Sequence, residues 1–313
     1  MATQTVEPAG LTRGSRPAPG PARARRPRRG PIAAPLLFIA PAVVLFCLFF
    51  VWPGALGVYY SFTSYTGVGT PRPVGLDNYA RLFGDRDFYA ALSRTVVYTV
   101  LAVPMQYLVS LAVAVLLVNR HARGTTVARV VFFFPWLISP IVTGVVWRWL
   151  FGENFGFVNF VIDQLHGTPQ RWETNANLSL AVVLFASAWG GTAFNMLLFI
   201  AALRNIPRSY LEAASIDGAT GWQRFRWITW PLLAPTTFLV VLLTTIGSMK
   251  EFAMIQALNG GGPGTSNMLL VQYIYRTGFE RAKIGYASAA SFVLMIILLV
   301  IALVQKRFDK AES

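Results

Sequence analysis

Two sets of small polar residues recur at helical spacing inside apolar stretches of the sequence. They are Ser187, Gly191 and Asn195, then Thr244, Ser248 and Glu251. Residues three or four positions apart lie on one face of a helix. Their hydroxyl, amide and carboxylate groups would hydrogen-bond a neutral ligand rich in hydroxyl groups, and a glycine would let it approach the backbone. Small polar residues also pack helices together in lipid, so the sequence leaves both roles open.

A third polar segment, EAASIDGATG, occupies residues 212–221 between those two sets. Residues 208–217 have the composition of a helix, and Gly218 suits the left-handed conformation that ends one. Thr220 and Gln223 have the spacing of a capping box, which begins a second helix. The pattern therefore predicts two short helices joined at a corner.

The surface of that corner has two interpretations. Ala213 and Ala214 are small and would allow another backbone to approach closely. An amphipathic connector lying on lipid headgroups would also have this pattern. Asp217 near a helix C-terminus opposes the helix dipole, which a simple connector does not explain.

The composition indicates which elements must position these polar residues. The chain has 313 residues, of which 55% are hydrophobic and only 13% are charged. Six stretches lack Asp, Glu, Lys and Arg: 31–71, 95–119, 130–147, 178–203, 228–249 and 284–305. A membrane helix needs about 20 apolar residues. The third stretch reaches that length if Arg129 and Arg148 lie at the two interfaces. We therefore predict an all-α integral membrane protein with six transmembrane helices.

The basic residues predict the division of the chain and its orientation. Residues 1–31 form an arm rich in Arg, Pro, Gly and Ala, which we expect to be disordered. Residues 32–305 form the membrane domain, with a polar loop at 204–228, and 306–313 form a short tail. If successive loops are assigned alternately to the two sides of the membrane, 17 Lys and Arg residues fall on one side and 10 on the other. The excess marks the cytoplasmic side, so both termini are predicted to be cytoplasmic in a multi-pass cell-membrane protein.

Several kinds of chemistry find no support in the sequence. Cys47 is the single cysteine, and His121 and His166 fall in different loops, so we expect no disulfide and no metal site. The spans lack paired carboxylates, so we predict no catalytic residues. GGGPG at 260–264 is not followed by Lys-Ser or Lys-Thr, which argues against a nucleotide site and favours a tight outer turn. The net charge is +14, but seven of the basic residues are arginines in the arm beside the first span, where such residues set membrane orientation, and we predict no nucleic-acid partner.

Two stretches carry a family resemblance. IPRSYLEAASIDGATGWQRFRWITWPLLAP at 206–235 resembles the EAA loop of ABC importer permeases. The matching residues are Glu212, Ala213, Ala214, Gly218, Ile228 and Pro231. Trp230 stands where the family usually has leucine. LNGGGPGTSNMLLVQYIYRTGFERAKIGYASAAS, beginning at Leu258, resembles the outer loop and last span of sugar permeases of the maltose and glycerol-phosphate group. The likeness extends from about Pro35 to the C-terminus.

The resemblance implies a type I importer permease that forms half of a sugar path and is not itself an enzyme. It implies that Glu212, Ala213, Ala214, Asp217 and Gly218 belong to the helix that couples the membrane domain to an ATPase. The implied partners are a second permease subunit in a heterodimer, two cytoplasmic ABC ATPase subunits that carry ATP and Mg, an extracytoplasmic sugar-binding protein and the lipid bilayer. The chain itself would bind no cofactor.

The alternative is a secondary transporter driven by an ion gradient. Such a protein favours an intramembrane relay of Asp, Glu or His and inverted repeats. Glu251 is the one candidate for a relay, and no repeat is visible in the sequence. A membrane enzyme or assembly factor would need a cluster of catalytic residues that the sequence does not show.

Overall fold

A computed structural model describes residues 33–118 and 125–312 of the chain. The predicted basic arm at 1–31 lies outside these residues. The chain divides after Trp52 into two compact units. Residues 33–118 contain four α-helices, one π-helical turn and two short strands that pair antiparallel. These elements are α1 (Ala33–Phe46), a π-helical turn (Cys47–Val51), α2 (Trp52–Ser61), β1 (Thr63–Ser64), β2 (Arg72–Pro73), α3 (Asp77–Phe83) and α4 (Arg86–Val118).

The remaining described residues are also helical. Residues 125–205 contain α5 (Thr125–Leu137), α6 (Pro140–Leu150), α7 (Phe157–Gln164) and α8 (Ala176–Asn205). The polar loop and the element after it contain α9 (Arg208–Ile216), α10 (Gly221–Arg224), a π-helical turn (Phe225–Thr229), α11 (Trp230–Leu232) and α12 (Ala234–Met249). The last part contains α13 (Ala253–Leu258), α14 (Leu270–Tyr275), a π-helical turn (Arg276–Glu280) and α15 (Ile284–Glu312). The predicted tail at 306–313 thus continues the last helix through Glu312.

Four of the described helices are long and apolar enough to cross a membrane. They are Leu37–Ser61, Arg86–Val118, Ala176–Asn205 and Ile284–Arg307. Two further pairs are bent: Val127–Leu137 with Pro140–Leu150, by 105°, and Gly221–Leu232 with Ala234–Met249, by 67°. If each bent pair is one span, the described residues contain the six spans that the sequence predicts. The breaks fall beside Pro140 and Pro235, which lack the amide that a continuous helix needs.

The described residues of 53–312 contain three clusters of buried hydrophobic side chains, and α4 contributes to each of them. Small residues such as Ala102, Ala114 and Ala186 are buried on the facing surfaces of α4 and α8. They let the helices approach closely, as is usual in membrane proteins. Close packing recurs between α6 and α13, because a β-carbon at Gly144 would overlap the carbonyl oxygen of Met254. These contacts fix the helices whose polar faces are described below.

A carboxylate joins three elements of the same unit at the predicted outer end of α4. Asp85 Oδ1 accepts hydrogen bonds from the amides of Asp87 (2.8 Å) and Phe88 (3.4 Å). Its Oδ2 accepts from the hydroxyls of Tyr273 (2.6 Å) and Tyr286 (2.8 Å). Burial raises the pKa of Asp85, but the four hydrogen bonds outweigh burial and hold that pKa below its usual value.

Replacing Asp85 by alanine should destabilise the protein by about 1–3 kcal/mol, because Tyr273, a residue only 3% exposed, loses the carboxylate to which its hydroxyl donates. The folded-state pKa is lowered, so the carboxylate's contribution is present at neutral pH and lost as the pH falls through that lowered pKa. The difference in thermal midpoint between wild type and variant should therefore shrink in acid. Asp163→Ala is the control, since Asp163 is exposed on α7. Equal midpoints for Asp85→Ala and wild type at neutral pH would contradict this role.

Candidate functional site

A cavity of about 640 Å³ lies among α4, α5, α6, α8 and α12. Its wall contains all six polar residues that the sequence singles out: Ser187, Gly191, Asn195, Thr244, Ser248 and Glu251. Helical spacing places Ser187, Gly191 and Asn195 on one face of α8, and Thr244 and Ser248 on one face of α12. The packing of α8 against α12 turns both faces toward the same space. Trp136 and Phe194 stack with their ring centroids 5.0 Å apart and add an aromatic surface to the wall.

Hydrogen bonds connect the two polar faces. Asn195 Nδ2 donates to Thr244 Oγ1 over 3.2 Å and so links α8 to α12. Ser187 Oγ accepts from the hydroxyl of Tyr98 and from Gln106 Nε2, each at 2.8 Å. The hydroxyl of Ser248 is buried and has no partner within the described residues. A buried hydroxyl without a partner is costly, which makes it a candidate contact for a bound ligand.

Glu251 reaches the cavity by a different route from the one predicted. The sequence places it on the face of a helix that carries Thr244 and Ser248, but α12 ends at Met249. The chain turns there, and Glu251 Oε1 accepts hydrogen bonds from the amides of Phe252 (3.1 Å) and Met254 (3.3 Å). The carboxylate therefore caps the start of α13 while it lines the cavity. It is the one charged side chain among the described residues of the wall.

The structure adds a second role for Gly191. The sequence suggests that this glycine lets a ligand approach the backbone, and Gly191 does line the cavity. In addition, a β-carbon at Gly191 would overlap Gln106 Oε1 and lie 2.7 Å from Gln106 Cδ. Gly191 thus makes room for the side chain of Gln106, which crosses from α4 onto α8.

Gln106 is one of the polar cavity residues that the sequence analysis does not single out. It lies in the charge-free stretch 95–119, two residues after Pro104, and it is 8% exposed. A lone amide in a membrane-spanning stretch is a usable signal, because a polar group there needs a partner. The sequence does not show that this partner, Ser187, lies 81 positions away.

The polar loop has the predicted corner. Gly218 follows α9 with a φ of 77°, in the left-handed region. Thr220 and Gln223 form the capping box: the amide of Thr220 donates to Gln223 Oε1 (2.7 Å), and the amide of Gln223 donates to Thr220 Oγ1 (3.3 Å). Arg224 of α10 donates to Ser215 Oγ of α9 and closes the corner.

The outer surface of this corner is largely exposed. Glu212, Ala213, Asp217 and Gly218 are exposed, and Ala214 is half-buried. A shallow hollow of about 480 Å³ is lined by Tyr210, Ala213, Ala214, Asp217, Trp227, Ile228, Pro231 and Leu232. Ile216 is 88% exposed beside it. Exposed apolar side chains around a hollow are typical of a surface that contacts another protein.

GGGPG at 260–264 is a turn, as predicted. Gly260, Gly261 and Gly264 all have positive φ, which few other residues adopt. Asn259 Nδ2 donates to Ser179 Oγ over 2.9 Å and ties the turn to the start of α8. The element immediately before the turn is the helix α13, not a strand, and no group of three or more His, Cys, Asp or Glu in the described chain is placed to hold a metal ion.

Comparisons with known proteins agree with this architecture. The family described as "Binding-protein-dependent transport system inner membrane component" matches residues 79–313. The sn-glycerol-3-phosphate transport system permease protein UgpA of Agrobacterium fabrum is 34% identical over 281 residues, which cover 88% of this chain and 94% of that protein. The probable ABC transporter permease protein YesP of Bacillus subtilis is 36% identical over 273 residues, covering 85% of this chain and 87% of that protein.

A solved structure shares the fold. It is a bacterial ABC transporter involved in the import of the acidic polysaccharide alginate, with a TM-score of 0.77. The match covers 89% of this chain and 96% of that chain, at 22% sequence identity. The family match covers most of the sequence, and the relatives align over nearly their whole length. The chain belongs to the family of inner membrane components of binding-protein-dependent transport systems, and is a transport subunit with an all-α membrane fold.

Proposed function

We propose that this chain forms half of the path for a sugar or oligosaccharide in an ABC importer. The observation that carries the proposal is the cavity at the meeting of α8 and α12. Its wall offers hydroxyl, amide and carboxylate groups beside an aromatic surface, the combination that a polyhydroxylated ligand needs. Ser187, Asn195, Thr244, Ser248 and Glu251 would hydrogen-bond the ligand.

The energy for transport would come from partners. We propose that the corner formed by Glu212, Ala213, Ala214, Asp217 and Gly218 docks on a cytoplasmic ABC ATPase, which binds ATP and Mg. Its exposed apolar side chains and its rigid hydrogen-bonded geometry support this role. The full transporter would contain this chain, a second and different permease subunit, two ATPase subunits and an extracytoplasmic sugar-binding protein.

Purification of the complex tests this function. The chain would be tagged and isolated from its native membrane, its partners identified by mass spectrometry, and the complex reconstituted in proteoliposomes with the binding protein. We expect an ABC ATPase to co-purify, and sugar uptake to require ATP inside the vesicles. Uptake driven by an ion gradient without ATP, and without a co-purified ATPase, would support the secondary-transporter alternative instead.

Single-cysteine labelling tests the orientation. In a Cys47→Ser background, cysteines introduced at Asn205 and Thr220 should be protected from a membrane-impermeant maleimide in intact cells. A cysteine at Gly261 should react, because we place the turn at 260–264 outside. This predicted orientation rests on the excess of Lys and Arg, 17 against 10, on the side of the membrane that holds both termini. Labelling of Thr220→Cys from outside would refute this topology.

A further inference from the structure

We propose that Gln106 contacts the transported ligand through its amide oxygen and helps to decide which ligand hydroxyl the path accepts. Gly191 acts as the positioning residue that seats Gln106. The proposal rests on the proposed function of the cavity. It adds a specificity-determining residue on α4 to the residues on α8 and α12.

The hydrogen bonds at Ser187 determine whether this residue can donate to a ligand or accept from it. Its Oγ already accepts two hydrogen bonds, from Tyr98 and from Gln106 Nε2. A hydroxyl oxygen has two lone pairs, so Ser187 can act toward a ligand only as a donor. Tyr98 is 1% exposed and anchors this arrangement in the core.

Gln106 supplies the complementary group. Its Nε2 is engaged by Ser187, and its Oε1 accepts no hydrogen bond from the part of the chain that the structure describes. Both Gln106 and Ser187 line the cavity. A free acceptor thus lies beside a free donor. A ligand hydroxyl that donates to Gln106 Oε1 and accepts from Ser187 would satisfy both groups.

Gly191 holds the amide in place. Because a β-carbon there would overlap Gln106 Oε1, every other residue at position 191 would displace the amide. The neighbouring Gly190 has no atom within 4 Å of the position that a β-carbon would occupy. The two adjacent glycines therefore form a matched pair for an experiment.

The specificity of uptake tests the proposal. The reconstituted transporter with its binding protein would be given a mixture of neutral mono- and disaccharides, and the best-transported sugar would be compared with each of its monodeoxy analogues. In the wild type, removal of one particular hydroxyl should reduce kcat/KM about 10- to 100-fold, because a donor and an acceptor lose their partner. The side chain of methionine is close in shape to that of glutamine. In Gln106→Met, the ratio of kcat/KM for the parent sugar to kcat/KM for that deoxy analogue should fall to about threefold or less. The amount of assembled complex should be unchanged.

Two further variants separate positioning from packing. Gly191→Ala should lower the same ratio as Gln106→Met does, and Gly190→Ala should have a smaller effect. Combining Gly191→Ala with Gln106→Asn should restore part of the discrimination, since asparagine is one methylene shorter. The proposal would be overturned if Gln106→Met slows the uptake of all analogues equally. It would also be overturned if Gln106→Met fails to assemble while Gly191→Ala keeps the wild-type ratio. If the wild-type complex transports no sugar, the proposed function itself fails.

Discussion

Replacing Gly218 by valine should reduce ATP-dependent uptake by the assembled transporter about tenfold or more. Gly218 has a φ of 77°, which a β-branched residue adopts only at a cost of about 1–3 kcal/mol. No atom lies within 4 Å of the place where a β-carbon would sit, so the expected effect comes from backbone conformation and not from crowding. The corner between α9 and α10 would change its angle, and with it the surface that we propose for the ATPase.

Uptake, ATPase activity and the amount of co-purified ATPase should be measured together for this variant. Gly221→Val is the matched control, because Gly221 lies three residues away, also has open space, and is not in the left-handed region. Gly218→Asn should be milder than Gly218→Val, since asparagine tolerates positive φ better. The affinity of the sugar-binding protein for sugar should not change. Wild-type uptake by Gly218→Val would refute the coupling role.

Replacing Ser248 or Asn195 by leucine should reduce sugar uptake about tenfold or more while the complex still assembles. Ser248 is 4% exposed and Asn195 is 5% exposed, and both line the cavity. Each change removes a polar group that would contact a sugar and replaces it with a larger apolar side chain. Basal hydrolysis of ATP should persist, because both residues line the cavity and neither belongs to the polar loop at 204–228.

Ser93→Leu is the control for these two variants. Ser93 is exposed on α4, and its hydroxyl donates to the carbonyl oxygen of Ala90 within the same helix. Uptake, basal ATPase activity and the yield of complex should be compared for all three proteins. If the cavity variants lose assembly together with uptake, the residues pack helices and do not form a path.

The corner in the polar loop shows what local sequence can predict. The geometry of Gly218 and the capping box at Thr220 and Gln223 depend on hydrogen bonds between residues no more than a few positions apart. The residue types at those positions therefore specify the local backbone without knowledge of the rest of the fold. The long charge-free stretches are similarly informative, because apolar length alone decides which helices can cross a membrane.

The cavity shows where local sequence stops being sufficient. Helical spacing correctly groups Ser187 with Asn195 and Thr244 with Ser248, because that spacing is a property of one helix. The same spacing predicts Glu251 on the helix of Thr244 and Ser248, but α12 ends at Met249 and the turn that follows cannot be read from spacing. Its place on the wall depends on the packing of α13.

The amino-acid sequence alone specifies the membrane-spanning stretches, the family resemblance, the corner of the polar loop and the polar face of each helix. That these faces enclose one cavity, and that Gln106 takes part in it, depends on the tertiary structure. Gln106 meets Ser187 across 81 residues, and Gly191 is needed because a side chain from another helix occupies its surface. Such contacts arise from the packing of separate helices, whereas the periodicity of a single helix carries no information about the neighbour that it will meet.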